Sequence, residues 1–251
     1  MRRSWMLPHT DSLLWTLVAI VVIWQVWIAV GHVDALVAPS PGAVAADILK
    51  NPVIYLSSTG LTLLVALIGL VLGMCLGVVF ALLAYFSPLL RGVVTPLATV
   101  IRTIPVVAII PVIARLLGYG ENTLVGVAVV ISFFPAFVLV SSGLRDLPAG
   151  SSDLFAVMGA GRFTRLARLA LPSAVPNALV ALRLTAAACI VVAVLSEYLI
   201  GSDGLGFVLA TARAYHLPDR AWGVAAITTC LAVTAFLNVS RLERWGRQRW
   251  R

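Results

Sequence analysis

The sequence predicts an all-α integral membrane protein with six transmembrane helices, and three observations support this. The composition is 61% hydrophobic and only 11% charged, with a mean hydropathy of +1.04, which is more apolar than a soluble domain. Six stretches contain the roughly 20 apolar residues that a spanning helix needs. Basic residues cluster between these stretches and in the C-terminal tail, as in cytoplasmic loops of membrane proteins. The 251 residues therefore form a single transmembrane domain.

The first predicted span follows Arg2 and Arg3, as in a signal peptide, but its apolar run is too long for a signal h-region of roughly 7–15 residues. With the N-terminus inside, twelve of the eighteen Lys and Arg residues lie on the cytoplasmic side and four lie outside. The positive-inside rule therefore predicts a multi-pass protein of the cell (inner) membrane with both termini cytoplasmic. The predicted spans cover about 12–32, 58–85, 93–117, 122–143, 174–200 and 221–240.

Two features accompany the first two spans. Pro41, with Ser40 as a possible cap, predicts a short amphipathic surface helix at about 42–49 on the outer side. The second span contains Gly69, Gly73 and Gly77, and this four-residue spacing lets another helix approach closely. The partner helix belongs either to the same chain or to a second copy.

The third and fourth spans contain the residues that could shape a substrate pathway. Pro105 and Pro135 each remove a backbone donor, which produces either a pathway element or a simple bend. Arg102 lies near the cytoplasmic end of its span. Its guanidinium either faces a functional polar environment or extends to the membrane surface.

Glu197 is the acidic residue that we place inside a span. Intramembrane acids are functional candidates. We favour a structural interpretation, in which the carboxylate caps the irregular "GSDGLG" backbone that follows. In this stretch Gly204 and Gly206 supply conformations that few other residues adopt.

The segment "DLFAVMGAGRFTRLARLALPSAVP" (153–176) separates the fourth and fifth spans and is unsuited to hydrocarbon because of its three arginines. As a helix it carries basic residues at three-residue intervals beside apolar ones, while Gly159 and Gly161 favour a tight turn between two short helices. It is either a lipid-binding linker or a helix that docks into a soluble partner. The basic residues are Arg162, Arg165 and Arg168, and the apolar residues are Phe155, Met158, Phe163 and Leu166.

No catalytic or metal site is expected from the sequence. The three cysteines lie in apolar runs and the three histidines are scattered. A P-loop needs a lysine after a glycine-rich loop, whereas the single lysine, Lys50, lies in "ILKNP" on the outer side. The chain is therefore not expected to hydrolyse ATP, and we attribute its basic charge to topology and anionic lipid, not to nucleic acid.

Several of these residues together resemble a known family. Asp153, Gly159, Leu169 and Leu171-Pro172 match in register the cytoplasmic signature E-A-A-x3-G-x9-I-x-L-P of permease subunits of binding-protein-dependent ABC importers, with Leu154 and Phe155 in place of the two alanines. The "RTIP", "FFP" and "E-x3-G-x2-GLG" stretches resemble the nitrate, sulfonate, taurine and bicarbonate branch of that family. The resemblance covers about 38–240.

The resemblance implies the type I ABC importer permease fold, with a coupling helix at about 153–168 between the fourth and fifth spans. It implies three protein partners: a cytoplasmic ABC ATPase dimer, a second and identical permease chain, and an extracytoplasmic substrate-binding protein. No cofactor is expected in this chain, since ATP and Mg would be bound by the ATPase. The substrate would be a small anionic solute such as a sulfonate, taurine, nitrate or bicarbonate. The predicted ATPase-coupling residues are Asp153, Phe155, Met158, Gly159, Ala160, Gly161, Arg162 and Phe163.

Two other function classes stay open on the residues alone. A secondary transporter driven by an ion gradient would favour paired intramembrane acids and often an internal repeat. A non-transporting scaffold subunit would use its basic loop for lipid and would have no ATPase partner.

Overall fold

The computed structural model describes residues 10–249, and all regular structure within that range is helical. Arg2, Arg3 and Arg251 of the sidedness count lie outside the described residues. The elements, in chain order, are α1 (Thr10–Gly31), α2 (Pro41–Lys50), α3 (Pro52–Phe86), α4 (Pro88–Thr103), α5 (Val106–Leu117), α6 (Glu121–Gly143), α7 (Ser151–Val157), α8 (Arg162–Arg165), a π-helical turn (Leu166–Ala170), α9 (Leu171–Ile200), α10 (Leu205–Ala214) and α11 (Pro218–Arg249).

Four helices in the described range are long and apolar enough to cross a membrane: Pro52–Phe86, Glu121–Gly143, Arg162–Ile200 and Pro218–Gly246. They contain the predicted second, fourth, fifth and sixth spans. The predicted first span coincides with α1, whose described apolar part is Val18–Gly31.

The predicted third span, 93–117, is wrong as a single helix. It consists of α4, with 16 residues, and α5, with 12, separated by Ile104 and Pro105. Ile104 adopts an extended conformation (φ −75°, ψ 127°), which is the region that a following proline imposes on its neighbour. Pro105 also lacks the N–H that a continuous helix would need. Neither piece alone reaches the length of a spanning helix.

The glycine ladder of α3 packs within the chain, which decides between the two alternatives left open by the sequence. Gly69, Gly73 and Gly77 face Ala128, Ser132 and Ala136 of α6, so closely that a Cβ at any of the three would collide with α6. Both helices therefore present small residues at four-residue spacing, as close packing requires. The Ser132 hydroxyl donates to the Gly69 carbonyl at 3.0 Å and so links the two helices.

An ion pair joins α9 to α11 inside the helical bundle. Arg183 Nη1 lies 2.9 Å from Glu243 Oε2. The guanidinium also lies 5.5 Å from the ring centre of Phe236. The arginine within the predicted fifth span is thus paired, as intramembrane charges usually are.

The surface helix α2 is fastened to two long helices. It begins as predicted, because the Ser40 hydroxyl accepts from the Ala43 N–H at 3.2 Å. Asp47 forms an ion pair with Arg220 of α11 at 3.1 Å and accepts from the Tyr55 hydroxyl of α3 at 2.6 Å. Partial burial raises the pKa of Asp47, but hydrogen bonds from Arg220 and Tyr55 outweigh this and hold the pKa below its usual value.

We expect Asp47→Asn to loosen α2 by about 1–2 kcal/mol, because two hydrogen bonds to a carboxylate are weakened. Since the folded pKa is lower than the unfolded one, the stabilising effect is present above about pH 4 and is lost as the pH falls through the folded value. Hydrogen exchange of residues 41–50 as a function of pH measures this. Asp34→Asn, at an exposed carboxylate near the same end, is the control, and equal exchange in the two variants would contradict the prediction.

Candidate functional site

The segment between α6 and α9 is a short helix followed by a tight turn. α7 ends at Val157, and the turn that follows contains Gly159, whose φ angle is +67°. The Ala160 N–H donates to the Phe155 carbonyl at 2.9 Å, and the Gly159 N–H donates to the Ala156 carbonyl at 3.0 Å. This is the Schellman arrangement, in which glycine is favoured because its left-handed conformation is not hindered by a Cβ. The predicted tight turn is therefore present.

The predicted coupling helix at about 153–168 is not a single helix. α7 stops at Val157, and the chain resumes at Arg162 as a helix that continues through the π-helical turn into α9. Arg162 and Arg168 are exposed on this extension, but Arg165 is not part of an open basic stripe. Gly159 and Gly161 thus divide a docking element (α7) from the first turns of the fifth spanning helix.

Two contacts hold α7 and the turn in place. Arg165 Nη2 donates to Ser152 Oγ at 2.5 Å, which ties the start of α7 to the start of the long helix. The ring of Phe163 lies 5.0 Å from that of Phe86, the last residue of α3. α2 contacts the start of α3 through Tyr55, whereas Phe163 contacts Phe86 at the other end of α3. The segment therefore projects from the end of the bundle opposite to α2.

The exposed face of this segment is apolar. Val157 is 87% exposed, Phe163 77%, Met158 71% and Leu154 59%. We call these four residues the α7 patch. Exposed apolar side chains that are contiguous along a short segment indicate a surface that is covered by a partner.

Some of the predicted coupling residues belong to the α7 patch, and others lie beside or beneath it. Met158 and Phe163 belong to the α7 patch, and Asp153 is exposed beside it. Phe155 and Ala160 are half-buried under it, so they support the turn. The sequence reasoning missed Leu154 and Val157. Their signal was their apolar character at positions where the family signature has alanine or no preference.

A second cluster, at the far end of α9, surrounds Glu197. Glu197 is completely buried. Its Oε2 accepts from the Thr62 hydroxyl of α3 and from the Gly206 N–H of α10, both at 2.9 Å. The Leu205 N–H donates to Thr62 Oγ1 at 2.9 Å. These contacts agree with the capping interpretation, because the carboxylate and the threonine together satisfy the first N–H groups of α10.

The two glycines of this cluster are needed for the close approach of α10 to α9. Gly204 has a φ angle of +124°, and a Cβ there would lie 2.5 Å from the Glu197 carboxylate. At Gly206 a Cβ would lie 2.5 Å from the Tyr198 backbone nitrogen. The sequence pointed to Glu197, Gly204 and Gly206 but gave no sign of Thr62, which lies 135 residues away from Glu197 in the chain.

We expect Glu197→Ala to lower the free energy of unfolding by about 2 kcal/mol or more, because a buried N–H and a buried hydroxyl lose their acceptor. Glu197→Gln should cost less, since the amide oxygen can accept from the same two donors. Thermal unfolding of the purified chain in detergent measures both. Glu121→Ala, at an exposed position, is the control; equal melting temperatures for the alanine and glutamine variants would contradict the capping role.

The other pathway candidates are spread along the third and fourth predicted spans. Pro105 lies at the α4–α5 break, and Pro135 is half-buried inside α6, which continues without interruption. The backbone of Arg102 is in the last turn of α4, while its side chain lies outside the described part of the structure.

Residues 69–251 match the family described as "Binding-protein-dependent transport system inner membrane component". The chain belongs to this family. The permease family resemblance is thereby confirmed, and the matched region contains the α7 patch and Glu197. The chain is a multi-pass inner-membrane permease of an ABC importer. Members of this family are transport components, not enzymes.

Relatives with assigned names lie in the same class. This permease is 28% identical to "Probable ABC transporter permease protein" of Haemophilus influenzae, over 89% of this chain and 91% of the relative. It is 30% identical to the formylaminopyrimidine transport permease protein ThiX of Halalkalibacterium halodurans, over 72% of this chain and 73% of the relative. It is 26% identical to the putative aliphatic sulfonates transport permease protein SsuC of Bacillus subtilis, over 90% and 82% respectively.

Solved structures share the fold. A chain of the MetNI methionine ABC transporter matches with a TM-score of 0.68 at 18% identity, covering 78% of this permease and 98% of that chain. A chain of an amino acid ABC transporter solved with histidines matches with a TM-score of 0.69 at 18% identity, covering 79% and 97%. The predicted all-α ABC importer permease fold is confirmed.

Proposed function

We propose that this permease forms the substrate pathway of an ATP-driven importer and that α7 with its turn docks into a groove of a separate cytoplasmic ATPase. ATP and Mg²⁺ would be bound by that ATPase. An extracytoplasmic binding protein would deliver the substrate, and a second identical permease chain would complete the pathway. The observation that carries the proposal is the α7 patch, whose four apolar side chains are exposed on a segment that internal contacts hold in place.

The connection of the segment to the bundle suggests how ATP binding would be transmitted. α8 continues through the π-helical turn into α9. A displacement of the docked segment would therefore move α9 as a rigid element. The far end of α9 carries Glu197, which is bonded to both α3 and α10. Closure of the ATPase dimer would draw two such segments together and switch the pathway between inward-open and outward-open states.

We propose that the α7 end faces the cytoplasm, together with both chain termini. The positive-inside count supports this orientation. Two contacts are compatible with this orientation. Asp47 pairs with Arg220, and both lie in segments predicted to be outside. Phe86 contacts Phe163, and both lie in or next to segments predicted to be cytoplasmic.

We propose a small solute of the sulfonate and taurine class as the first substrate to test. SsuC of Bacillus subtilis and the taurine transport system permease protein TauC of Escherichia coli are 26% and 22% identical to this chain, over 90% and 97% of its length. A formylaminopyrimidine is the second candidate, because ThiX is 30% identical. The binding protein usually sets selectivity, so the substrate should be sought there.

The test is affinity purification of the tagged permease from its native membrane in mild detergent, followed by mass spectrometry. We expect recovery of an ABC-type ATPase and an extracytoplasmic binding protein. The binding protein is then titrated with taurine, an alkanesulfonate, nitrate, bicarbonate and a formylaminopyrimidine. An intact chain that retains no ATPase, under conditions that preserve other membrane complexes, would favour the scaffold or secondary-transporter alternatives.

A further inference from the structure

A small cavity with two arginines lies at the α7 end of the bundle, outside the α7 patch. It has a volume of about 120 Å³ and is enclosed by the ends of α3, α4 and α6. Arg91 of α4 and Arg145, just after α6, line it together with Ser141. A second cavity of about 510 Å³ shares Ser141 and Arg145 with it and continues along Phe137 and Val138.

Within the described part of the chain the two arginines have no salt-bridged carboxylate, although Asp146 lines the second cavity beside Arg145. Arg145 Nε donates to the Ser141 carbonyl at 2.9 Å, which orients the guanidinium. Neither Arg91 nor Arg145 forms an ion pair with a carboxylate of residues 10–249. Burial, and then the positive charge of Arg91, lower the pKa of Arg145. Both arginine side chains are exposed at the cavity, and two like charges beside one cavity favour an anion that lies between them.

Ser141 supplies an independent sign of a missing partner. The residue is 5% exposed and its hydroxyl oxygen has no hydrogen-bond partner, although it lines the cavity. Buried hydroxyls are nearly always satisfied by protein, water or ligand. The cavity therefore combines two unpaired guanidinium groups with an unused hydroxyl, which is the donor set that binds phosphate oxygens.

We propose that Arg91, Arg145 and Ser141 form a binding site for a phosphate group. Two sources can provide it: the headgroup of an anionic phospholipid or a free phosphate. Basic pockets between helices on the cytoplasmic side are suited to lipid headgroups. The adjoining cavity, which Thr95, Ser142 and Asp146 also line, offers Phe137 and Val138 as apolar contacts for an acyl chain. The site does not require an ATPase partner, so its test is independent of the proposed transport function.

The experiment measures thermal unfolding of the full-length chain in nanodiscs of digalactosyl diacylglycerol, a neutral lipid that carries no phosphate group. In one arm increasing fractions of phosphatidylglycerol are incorporated, and in the other inorganic phosphate is added at constant ionic strength. A ligand that binds the folded state raises the melting temperature. A rise in the first arm identifies a lipid headgroup, and a rise in the second identifies free phosphate.

Three variants assign the response to the site. We expect the double variant Arg91→Gln, Arg145→Gln to abolish the rise in melting temperature. We expect Ser141→Ala to raise the half-saturating anion concentration roughly tenfold, because one charge-assisted hydrogen bond is lost. In the neutral lipid, Ser141→Ala should melt close to the wild type, because the Ser141 hydroxyl has no hydrogen-bond partner within the described part of the chain. Arg168→Gln is the control, since it removes an exposed arginine from the same end.

Absence of a rise in both arms for the wild type would overturn the proposal. An equal rise in the wild type and the double arginine variant would also overturn it, because the anion would then bind elsewhere. If the double variant does not fold in neutral lipid, Ser141→Ala decides, and an undiminished response in that variant contradicts the site.

Discussion

Val157→Glu is expected to abolish ATP-driven transport while the chain still inserts and folds. Val157 is 87% exposed at the end of α7, so a carboxylate there costs the isolated permease little. In the proposed complex the same side chain is covered by the ATPase. A buried, unpaired carboxylate costs several kcal/mol, so we expect the affinity for the ATPase to fall about 100-fold or more. Copurification of the ATPase and ATP-dependent uptake measure the two effects.

Leu89→Glu is the matched control for this prediction. Leu89 is 80% exposed at the start of α4, at the same end of the bundle but outside the α7 patch. We expect it to retain the ATPase. Gly159→Trp is a less specific test, since the φ angle of +67° at this position makes any side chain strain the turn itself. Normal copurification with Val157→Glu would contradict the docking surface.

Gly73→Leu should have the largest effect on folding. A Cβ at Gly73 would lie 2.5 Å from the Val129 backbone oxygen, in addition to colliding with Ser132. Backbone cannot move aside as a flexible side chain can, so α3 and α6 would have to separate. We expect destabilisation by at least about 3 kcal/mol, which is the upper part of the range for overpacking. The folded fraction after membrane extraction and the melting temperature measure it.

Gly60→Leu tests whether this effect comes from the helix interface or from the loss of glycine itself. Gly60 lies on the same helix, and a Cβ there has nothing within 4 Å. Leucine also favours helix more than glycine does. We therefore expect wild-type stability or slightly more. A comparable loss in both variants would contradict the role of the ladder in packing α3 on α6.

Much of the architecture could be predicted from the sequence because the membrane imposes simple rules. Long apolar runs identified all the long helices, and Pro41 with Ser40 identified the start of α2. These features depend on local residue type. The third span is wrong as a single helix for a local reason. Pro105, which predicts either a pathway element or a bend, separates two helices.

The candidate sites were only partly predictable because they depend on contacts between distant residues. Glu197 was singled out as an intramembrane acid, but Thr62 as its partner follows from the packing of α3 on α9. The three-residue spacing groups Arg165 with Arg162 and Arg168, whereas its hydrogen bond to Ser152 depends on the fold-back at Gly159. The cavity at Arg91 and Arg145 likewise exists because the start of α4 lies beside the end of α6.

The central claim, that α7 docks on a separate ATPase, is tested most directly by site-specific cross-linking at Val157. Val157→Cys is made in a chain with Cys75→Ala and Cys230→Ala, while Cys189 is buried and can remain. A short thiol-reactive cross-linker is applied in native membranes, with Leu89→Cys as the control. The account predicts a cross-link to an ABC ATPase from position 157 and none from position 89. No ATPase cross-link from position 157, in a folded chain whose cysteine is labelled, would contradict it.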